Sequence, residues 1–396
     1  MSLLRGELDG HRLTVSVRPE SLTVGVDARF VVACDAGGRL YSVYRDGHTY
    51  RRGLTGRVLH KWQDAHGRHR EEVGAADADR LVDDAAACFG RAARLVGESA
   101  PALDDPGGAL DILDRGTRFD AAHARLDAAR ARSLYQPIGI LPPDHYLSLV
   151  LQATQGCSFN ACTFCRLYEE PYRVKSPEEF ATHVEDVLAW LGPSAALRRR
   201  AVFLGAANAL AVPMARLLPI LEAVERAVGP PLGVAAFVDG FTGAKKTQAD
   251  YRALAAHGLR RVYIGLESGH DPLLAFVRKP ATRDEAVEAV RTIKAAGVSV
   301  AVIVMVGLGG DRFASAHVRD TSAALAAMRL GRGDLVYFSD LVETAGTAYP
   351  RQASEAGIGA LSAEERREQR DIIQAALDPP PIGPRTARYD VREFVW

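Results

Sequence analysis

The sequence has no long apolar stretch and no excess of charge of either sign. No run of about 18 apolar residues occurs, so we expect no membrane-spanning helix. Lys and Arg together number 49, and so do Asp and Glu, so the chain has no overall basic field to attract nucleic acid. The opening residues 1–7 contain no apolar signal core. These absences predict a cytoplasmic protein with no membrane partner.

Cysteine is also scarce, with only five in 396 residues. Cys34 and Cys88 are isolated, whereas Cys157, Cys162 and Cys165 lie close together in one short segment. Clustered soft thiolates select zinc or an iron–sulfur cluster. Zinc sites usually combine two pairs of ligands, and no second pair lies near these three cysteines in the sequence. On a [4Fe–4S] cluster, three cysteines would leave one iron open to a substrate or cofactor.

From Tyr146 onward, apolar runs typical of strands alternate with amphipathic stretches typical of helices. The predicted strands cover 146–154, 201–206, 233–238, 261–266, 298–306 and 335–341. The predicted helices cover about 176–191, 213–227, 247–257, 283–296, 316–329 and 362–377. Six successive βα units indicate a parallel sheet, and the segment is too short for eight units. We therefore predict an α/β fold, a partial (βα)6 TIM-like barrel.

The N-terminal part has a different pattern of apolar and turn-forming residues. Residues 1 to about 62 contain short β-branched and aromatic runs separated by Gly and Asp turns, which indicates β structure. Helices are predicted over 77–95, with Cys88 on the apolar face, and over 119–133. We expect a β-rich and helical region over 1–144 that serves as a substrate lid or partner domain. We also expect a barrel over 145–350, followed by a C-terminal helix and tail over 351–396 that close the barrel.

The cysteine segment resembles the cluster motif of the radical S-adenosylmethionine (SAM) superfamily. Its spacing is C-x4-C-x2-C, one residue longer in the first gap than the usual pattern of that family. The partial barrel is also the fold of the family, and the loop follows the first predicted strand. The resemblance implies an oxygen-sensitive [4Fe–4S] cluster on Cys157, Cys162 and Cys165, with SAM on the open iron. Phe164 corresponds to an aromatic residue that packs near the SAM adenine in the family.

The resemblance also implies SAM contacts at the carboxyl ends of the strands, where parallel α/β folds bind ligands. The second predicted strand ends in small residues for the SAM amino group, the fourth in polar residues for the ribose and methionine. A cation that follows the fourth strand suits the SAM carboxylate, and the fifth and sixth strands suit the adenine. The residues are Gly205, Ala206, Ala207, Asn208, Glu267, Ser268, Arg278, Gly307 and Tyr337. Each also has an ordinary alternative as a turn, a solvated charge or a core side chain.

In the radical SAM family, the reduced cluster passes an electron to SAM, and the resulting 5′-deoxyadenosyl radical abstracts hydrogen from a substrate. The resemblance therefore implies an enzyme, with an external one-electron donor of flavodoxin or ferredoxin type. We expect a small or medium organic substrate, as in natural-product or cofactor tailoring. Two alternatives stay open: RNA modification through the basic residues of 45–70, and a non-enzymatic iron–sulfur or zinc protein. The even charge balance and the adjacent Glu71 and Glu72 argue against nucleic acid.

A partial cobalamin pattern occurs in the N-terminal part of the sequence. Asp64 and His66 fit the first two positions of the pattern Asp-x-His-x-x-Gly, but the final Gly is absent. No strand–helix–strand context is predicted around them. We therefore do not expect cobalamin.

Overall fold

The computed structural model describes residues 2–98, 103–199, 201–229 and 233–396. Its N-terminal part is an eight-stranded antiparallel sheet in which each strand pairs with the next in sequence. The strands are β1 (Ser2–Leu8), β2 (His11–Arg18), β3 (Ser21–Val26), β4 (Phe30–Asp35), β5 (Leu40–Arg45), β6 (His48–Arg52), β7 (Val58–Asp64) and β8 (Gly67–Glu72). The predicted β-rich region is confirmed and extends ten residues further, to the end of β8.

Two tight turns explain why the first strands fold back on their neighbours. Asp9-Gly10 connects β1 to β2, and Asp46-Gly47 connects β5 to β6. All four residues have positive φ, between 48° and 93°, as two-residue hairpin turns of the Asp-Gly kind require. Asp64 and His66, the partial cobalamin pattern, lie at the β7–β8 hairpin, where the Asp64 carboxylate accepts a hydrogen bond from the His66 amide at 2.8 Å.

Three helices cover one face of this sheet: α1 (Ala75–Glu98), α2 (Pro106–Arg118) and α3 (Ala121–Leu134). Helix α2 was not expected, because Gly107, Gly108 and Gly116 weaken its helical pattern. The predicted apolar face of α1 is confirmed, and Cys88 lies in the same core as Cys34, with no exposed area on either. Residues 99–102, between α1 and α2, lie outside the described residues.

A seven-stranded parallel sheet follows, and its strand order is the order of the sequence. Its strands are β9 (Leu149–Gln152), β12 (Val202–Gly205), β13 (Val234–Val238), β14 (Leu259–Glu267), β15 (Ser299–Val306), β16 (Leu335–Asp340) and β17 (Arg385–Arg388). All six predicted strands are present, and β17 adds a seventh from the C-terminal tail. Among the described strands, β9 and β17 do not pair with each other, so the barrel is open. A short ladder of β10 (Thr154–Gln155) and β11 (Arg173–Val174) follows β9.

Ten helices are described in this part of the chain. They are α4 (Pro177–Leu191), α5 (Ala195–Arg198), α6 (Met214–Val228), α7 (Gly240–Lys245), α8 (Gln248–Ala256), α9 (Asp271–Phe276), α10 (Arg283–Ala295), α11 (Gly310–Met328), α12 (Tyr349–Glu355) and α13 (Ala363–Ala375). A capping box fixes the start of α4, since the side chains of Ser176 and Glu179 each bind the other's backbone amide. Helix α11 begins six residues earlier than predicted, because Gly309 at φ 81° starts it directly after β15. None of the described helices is long and apolar enough to cross a bilayer.

Arg39 joins the N-terminal sheet to the barrel. Its guanidinium pairs with Asp127 of α3 at 2.9 Å and donates hydrogen bonds to the carbonyls of Trp190 and Leu191 at the end of α4. Both side chains of the ion pair are nearly buried, at 12% and 11% exposed. A cation at the carboxyl end of a helix is favourable because unpaired carbonyls point there. The sheet, α3 and α4 therefore meet at one charged contact. The division of the chain into three domains at 144 and 350 stays a prediction.

Candidate functional site

A cavity opens at the carboxyl ends of the barrel strands and encloses about 990 Å³ of empty space, its mouth included. Residues from the ends of β13, β14 and β15 line it, together with the loop that follows β10. Parallel strands bring their carboxyl ends to one edge, which is why residues far apart in sequence meet there.

The cysteine loop is held in place at its base and at its middle. The β10–β11 ladder closes the base, where Gly156 has a φ of 67°. A side chain at Gly156 would lie 2.4 Å from the Glu170 carbonyl oxygen, so only glycine fits. In the middle, the Thr163 amide donates to the Val277 carbonyl at 3.0 Å, and the Tyr349 amide donates to the Thr163 carbonyl at 2.9 Å. The loop is therefore fixed against two other segments of the barrel.

Cys157, Cys162 and Cys165 all line this cavity, as the sequence predicts for a shared site. Burial raises the pKa of the Cys162 thiol to about 12, against the opposing charge of Lys279. Burial also raises the pKa of Cys165. Metal binding requires the thiolate form, so the Lys279 charge, which opposes the effect of burial, would favour ligation by these cysteines.

The loop supplies three cysteines to the cavity, one ligand fewer than a structural zinc site needs. Within the described ranges, no set of three or more His, Cys, Asp or Glu side chains is arranged to hold one metal ion. A structural zinc site needs four ligands around one ion. In a [4Fe–4S] cluster each thiolate binds a different iron, which asks for three sulfurs around a shared space. Cys157, Cys162 and Cys165 all line one cavity, which is the shared space that such a cluster needs.

A buried ion pair of Glu267 and Lys279 forms part of the cavity wall. The Lys279 Nζ lies 2.9 Å from Glu267 Oε1, and the two side chains are 12% and 10% exposed. Glu267 has a left-handed φ of 58° and follows an irregularity in the β14–β15 register, which turns its side chain toward Lys279. Burial works to lower the pKa of Lys279, but the charges of Glu267 and Cys162 raise it above its ordinary value. The wall therefore presents a carboxylate and an ammonium side by side.

Gly265 makes room for this pair. A side chain at position 265 would lie 2.3 Å from Glu267 Oε1 and 2.9 Å from Lys279 Nζ. Contacts that short force the neighbouring atoms to move, and both of those atoms belong to the ion pair. The sequence Gly265-Leu266-Glu267 is therefore fitted to the cavity wall.

A polar network ties the cysteine loop to the ends of β12 and β13. The Asn208 side-chain amide donates to Ser158 Oγ at 2.8 Å and to the Asp239 carboxylate. The Asp239 amide donates back to Asn208 Oδ1 at 3.1 Å, and the Asp239 carboxylate caps α7 through Thr242. Asn208, Ser158 and Asp239 line the cavity, so the network fixes three strand-end segments around it.

Four of the ten predicted SAM contacts line the cavity: Phe164, Ala207, Asn208 and Glu267. The other six do not, and each has a structural reason. The Tyr337 hydroxyl donates to Asp144 at 2.9 Å, beside the hydroxyl of Tyr263. Asp144 precedes β9, at the amino-terminal end of the barrel. The Tyr337 side chain is therefore part of a hydrogen-bonded cluster at the amino-terminal end of the barrel, opposite the cavity.

Ser268 and Gly307 contact neighbouring helices. Ser268 is fully buried, and its Oγ lies 2.7 Å from His317 Nδ1 of α11. The Gly307 amide donates to Gln369 Oε1 of α13 at 2.7 Å. Both positions face the helices and not the cavity.

Gly205, Ala206 and Arg278 are also outside the cavity lining. The Ala206 amide donates to Thr154 Oγ1 at 3.0 Å, which directs this strand end toward β10. Arg278 is exposed, and the next residue, Lys279, faces the cavity instead. The expected cation is therefore present, one position later in the chain.

Sequence reasoning missed several lining residues. The most polar are Asp239 and Ser158, and Lys279 was passed over in favour of its neighbour. Asp239 directly follows β13, so a strand-end rule applied to every strand would have found it. Tyr389 and Val391 come from the C-terminal tail, which the sequence predicts to close the barrel, although neither was named as a site residue.

Comparison with known families identifies one match. Residues 151–317 match the family model described as the radical SAM superfamily. A search of the curated proteins found no match to this sequence.

Several solved structures resemble the chain at low identity. The cobalamin-dependent SAM radical enzyme OxsB, with aqua-cobalamin and SAM bound, is 14% identical with a TM-score of 0.39, over 80% of this chain and 36% of that one. The coproporphyrinogen III oxidase HemN from Escherichia coli is 15% identical with a TM-score of 0.43, over 64% and 56%. The methyltransferase TsrM from Kitasatospora setae is 14% identical with a TM-score of 0.42, over 59% and 51%. The chain thus spans about a third of OxsB, and none of these likenesses identifies its substrate.

Proposed function

We propose that this chain, whose residues 151–317 match the radical SAM superfamily, uses the cavity to cleave SAM reductively and to abstract hydrogen from a small or medium organic substrate. The observation that carries the proposal is the convergence of Cys157, Cys162 and Cys165 on a cavity that also holds the Glu267–Lys279 pair. Radical SAM enzymes use a [4Fe–4S] cluster and SAM, which together supply a 5′-deoxyadenosyl radical that abstracts hydrogen. The protein's own residues bind, orient and exclude water.

The ion pair is suited to the amino-acid end of SAM. That end carries a carboxylate and an ammonium group, the opposite charges to those of Lys279 and Glu267. Both side chains are nearly buried, so each would interact with the ligand in a low-dielectric setting, where charge pairs are stronger than in water. In this proposal Lys279 binds the SAM carboxylate and Glu267 binds the ammonium group or a ribose hydroxyl.

Apolar strand positions are suited to the adenine. Ile303 and Met305 of β15 line the cavity, as does Phe164 of the cysteine loop. A flat aromatic base packs well on such side chains, and a thioether makes favourable contacts with aromatic rings. The proposal keeps β15 as the adenine side, as the sequence predicts, but uses these side chains in place of Gly307.

The remaining walls exclude water. Ile140, Phe237, Tyr389 and Val391 line the cavity with largely apolar surface. A closed and dry pocket protects a reactive radical from side reactions. The electron has to come from outside the chain, and a flavodoxin or ferredoxin type of donor fits this proposal.

RNA modification, the second candidate, loses its main support. Six of the seven cations in 45–70 bind acidic side chains or backbone carbonyls within the protein: Arg45, Arg51, Arg52, Arg57, Lys61 and Arg70. Only Arg68 has no such partner among the described residues. Binding to a phosphate backbone requires several free cations. These contacts support a small-molecule substrate.

Anaerobic reconstitution tests the proposed function. We expect about four iron atoms per chain, because one [4Fe–4S] cluster contains four. We also expect 5′-deoxyadenosine to form when dithionite and SAM are added. Cys162→Ala should abolish both, and Cys88→Ala, whose thiol lies in the separate N-terminal core, is the matched control. Stoichiometric zinc without iron would refute the proposal.

A second assay separates the two substrate classes. The reconstituted protein and undeuterated SAM are incubated with one of two deuterated cell extracts. One extract contains small molecules, and the other contains RNA. Deuterium should enter 5′-deoxyadenosine only with the small-molecule extract. Transfer only with RNA, reduced by Arg68→Ala, would favour RNA modification instead.

A further inference from the structure

The N-terminal sheet does not reach the cavity directly. Every cavity-lining residue that the structure describes lies at position 140 or later. The sheet does contact the C-terminal residues 385–396, which we call the strap. The strap, in turn, contributes Tyr389 and Val391 to the cavity wall. The strap is therefore the link between the sheet and the cavity.

The strap is anchored to the barrel on its inner side. Its first residues form β17, which pairs in parallel with β16. The Tyr389 amide donates to the Phe338 carbonyl at 2.8 Å, and the Tyr389 hydroxyl donates to the Leu141 carbonyl at 2.8 Å. Tyr389 is only 3% exposed. These contacts fix the ring of Tyr389 between the cavity and the barrel.

The outer side of the strap carries acidic residues that face the sheet. Asp390 pairs with Arg70 at 2.7 Å, and Glu393 pairs with Lys61 at 2.7 Å. Arg70 also lies 3.8 Å from Glu393, so one cation serves both acids. Asp390 has an extended backbone and precedes a short 3-10 helix, Val391–Glu393, which its carboxylate caps by accepting a hydrogen bond from the Arg392 amide at 3.0 Å.

Burial and charge show that this contact is not a loose surface pair. The side chains of Arg70 and Asp390 are 22% and 13% exposed. Burial works to raise the pKa of Asp390, but hydrogen bonds from Arg392 and the charge of Arg70 hold it below its ordinary value. A partly buried ion pair with several hydrogen bonds contributes more than an exposed pair.

The end of the strap is bound to the sheet as well. The Thr55 amide donates to the Trp396 carbonyl at 3.0 Å. A side chain at Gly53 would lie 2.5 Å from the Trp396 carbonyl carbon, so glycine is required there. Trp396 is 6% exposed and packs edge-on against Tyr135. The strap is thus held at its middle by charge and at its end by packing.

We propose that Arg70 and Lys61 are positioning residues that act through Asp390 and Glu393 to keep Tyr389 and Val391 in the cavity wall. The N-terminal sheet then controls how tightly the cavity is closed, without touching the ligand. The identity of the cavity as a SAM and substrate site rests on the proposed function. The clamp itself rests only on the contacts between the sheet and the strap.

Hydrogen–deuterium exchange on the full chain tests the clamp. Arg70→Met keeps the length of the side chain and removes its charge. We expect amide exchange in 389–396 to rise about fivefold, because Arg392 still binds Asp390 and limits the loss. Exchange should also rise in the cysteine loop, which shares the cavity with the strap. Arg70→Lys should restore most of the protection, which a general loss of packing would not allow.

Arg68→Met is the matched control, since Arg68 lies on the same strand and has no ion-pair partner among the described residues. It should leave both segments unchanged. If Arg70→Met lowers the overall melting temperature too far, Lys61→Met provides an independent variant. Unchanged strap exchange in both variants would overturn the proposal. Faster strap exchange with an unchanged cysteine loop and unchanged SAM affinity would also overturn it.

The same experiment separates this proposal from the proposed function. Exchange in the strap is measured on the chain with or without cluster and SAM. If the wild-type chain binds no SAM, the proposed function fails, and the response of the strap to Arg70→Met still decides whether the clamp exists.

Discussion

The Glu267–Lys279 pair gives the sharpest test of the site, because stability and ligand binding should respond differently to its removal. The two charges lie 2.9 Å apart and are about nine-tenths buried. Glu267→Gln leaves the Lys279 ammonium buried without its counter-charge. Lys279→Met leaves the Glu267 carboxylate in the same position. Each single change therefore isolates one charge in a low-dielectric wall.

The expected cost is large for either single variant. Removing one partner of a buried pair typically costs about 3–5 kcal/mol, and we take about 3 because the pair borders the cavity. For a unit of about 150–250 residues this corresponds to a fall of about 6–12 °C in the melting temperature. The double variant Glu267→Gln with Lys279→Met removes both charges and should recover most of the loss.

The two single variants should differ in cluster loading. The charge of Lys279 is what opposes burial at the Cys162 thiol, whose pKa burial raises to about 12. Lys279→Met should therefore make the thiolate harder to form and lower the iron content. Glu267→Gln removes a negative charge from the same surroundings and should leave the iron content unchanged.

The assay combines thermal melting, iron analysis and SAM binding on anaerobically prepared protein. SAM affinity should fall in all three variants, including the double variant whose stability recovers. Additive losses of stability would refute the coupling of the pair. Wild-type SAM affinity in the double variant would refute the assignment of these residues to SAM.

Three further predictions follow from single contacts. Cys162→Ala should lose the iron, whereas Cys34→Ala, in the N-terminal core, should keep it; iron analysis decides between them. Tyr337→Phe should lower the free energy of unfolding by about 1 kcal/mol, measured by thermal melting, because the hydrogen bond to Asp144 is lost. SAM affinity should not change, because this hydroxyl binds far from the cavity. Weaker SAM binding would instead support Tyr337 as a SAM contact. Burial lowers the pKa of His183 from 6.5 to about 3. The neutral imidazole therefore adds to the free energy of unfolding in full above pH 6.5, and this contribution is lost as the pH falls toward 3. The melting temperature should fall over that window, and less steeply in His183→Gln, which can still accept the Gln152 amide hydrogen bond; equal slopes would contradict the assignment.

Repeating patterns made the barrel predictable. Each predicted strand of 146–341 is present, because a buried parallel strand is a continuous apolar run and each run is followed by a helical pattern. The seventh strand, β17, was missed, since Arg385–Arg388 contains no apolar run. Its position is decided by pairing with β16 and not by its own composition.

The site was predictable where the chemistry is local. Three cysteines in one loop meet wherever that loop lies, and a strand-end carboxylate such as Glu267 faces the edge where ligands bind. The errors arose where a residue's partner is distant in sequence. Nothing near Tyr337 indicates that Asp144, 193 positions earlier, will bind its hydroxyl. Arg278 and Lys279 look equivalent in sequence, and only the fold decides which one faces inward.

The basic stretch at 45–70 shows that charge in the sequence does not reveal which ion pairs the folded protein forms. Seven cations close together in sequence look like a surface for polyanions, but charge along a sequence does not reveal which cations are already paired. Lys61 and Arg70 bind acids of the strap more than 300 residues later, and Arg52 is buried against the Ala124 carbonyl. The local charge excess is thus used to hold the molecule together.

Substrate identity cannot follow from the family segment alone. The family model covers 151–317, and that range contains the three cysteines and the Glu267–Lys279 pair. Ile140, Ser339, Tyr389 and Val391 line the same cavity from outside the range. The groups proposed to hold the cluster and SAM therefore come from the shared segment, while part of the remaining wall comes from Ile140 before β9, from β16 and from the strap. Because substrate recognition depends on the walls that the cofactors leave free, changes at Tyr389 or Val391 should alter the choice of substrate before they alter SAM cleavage.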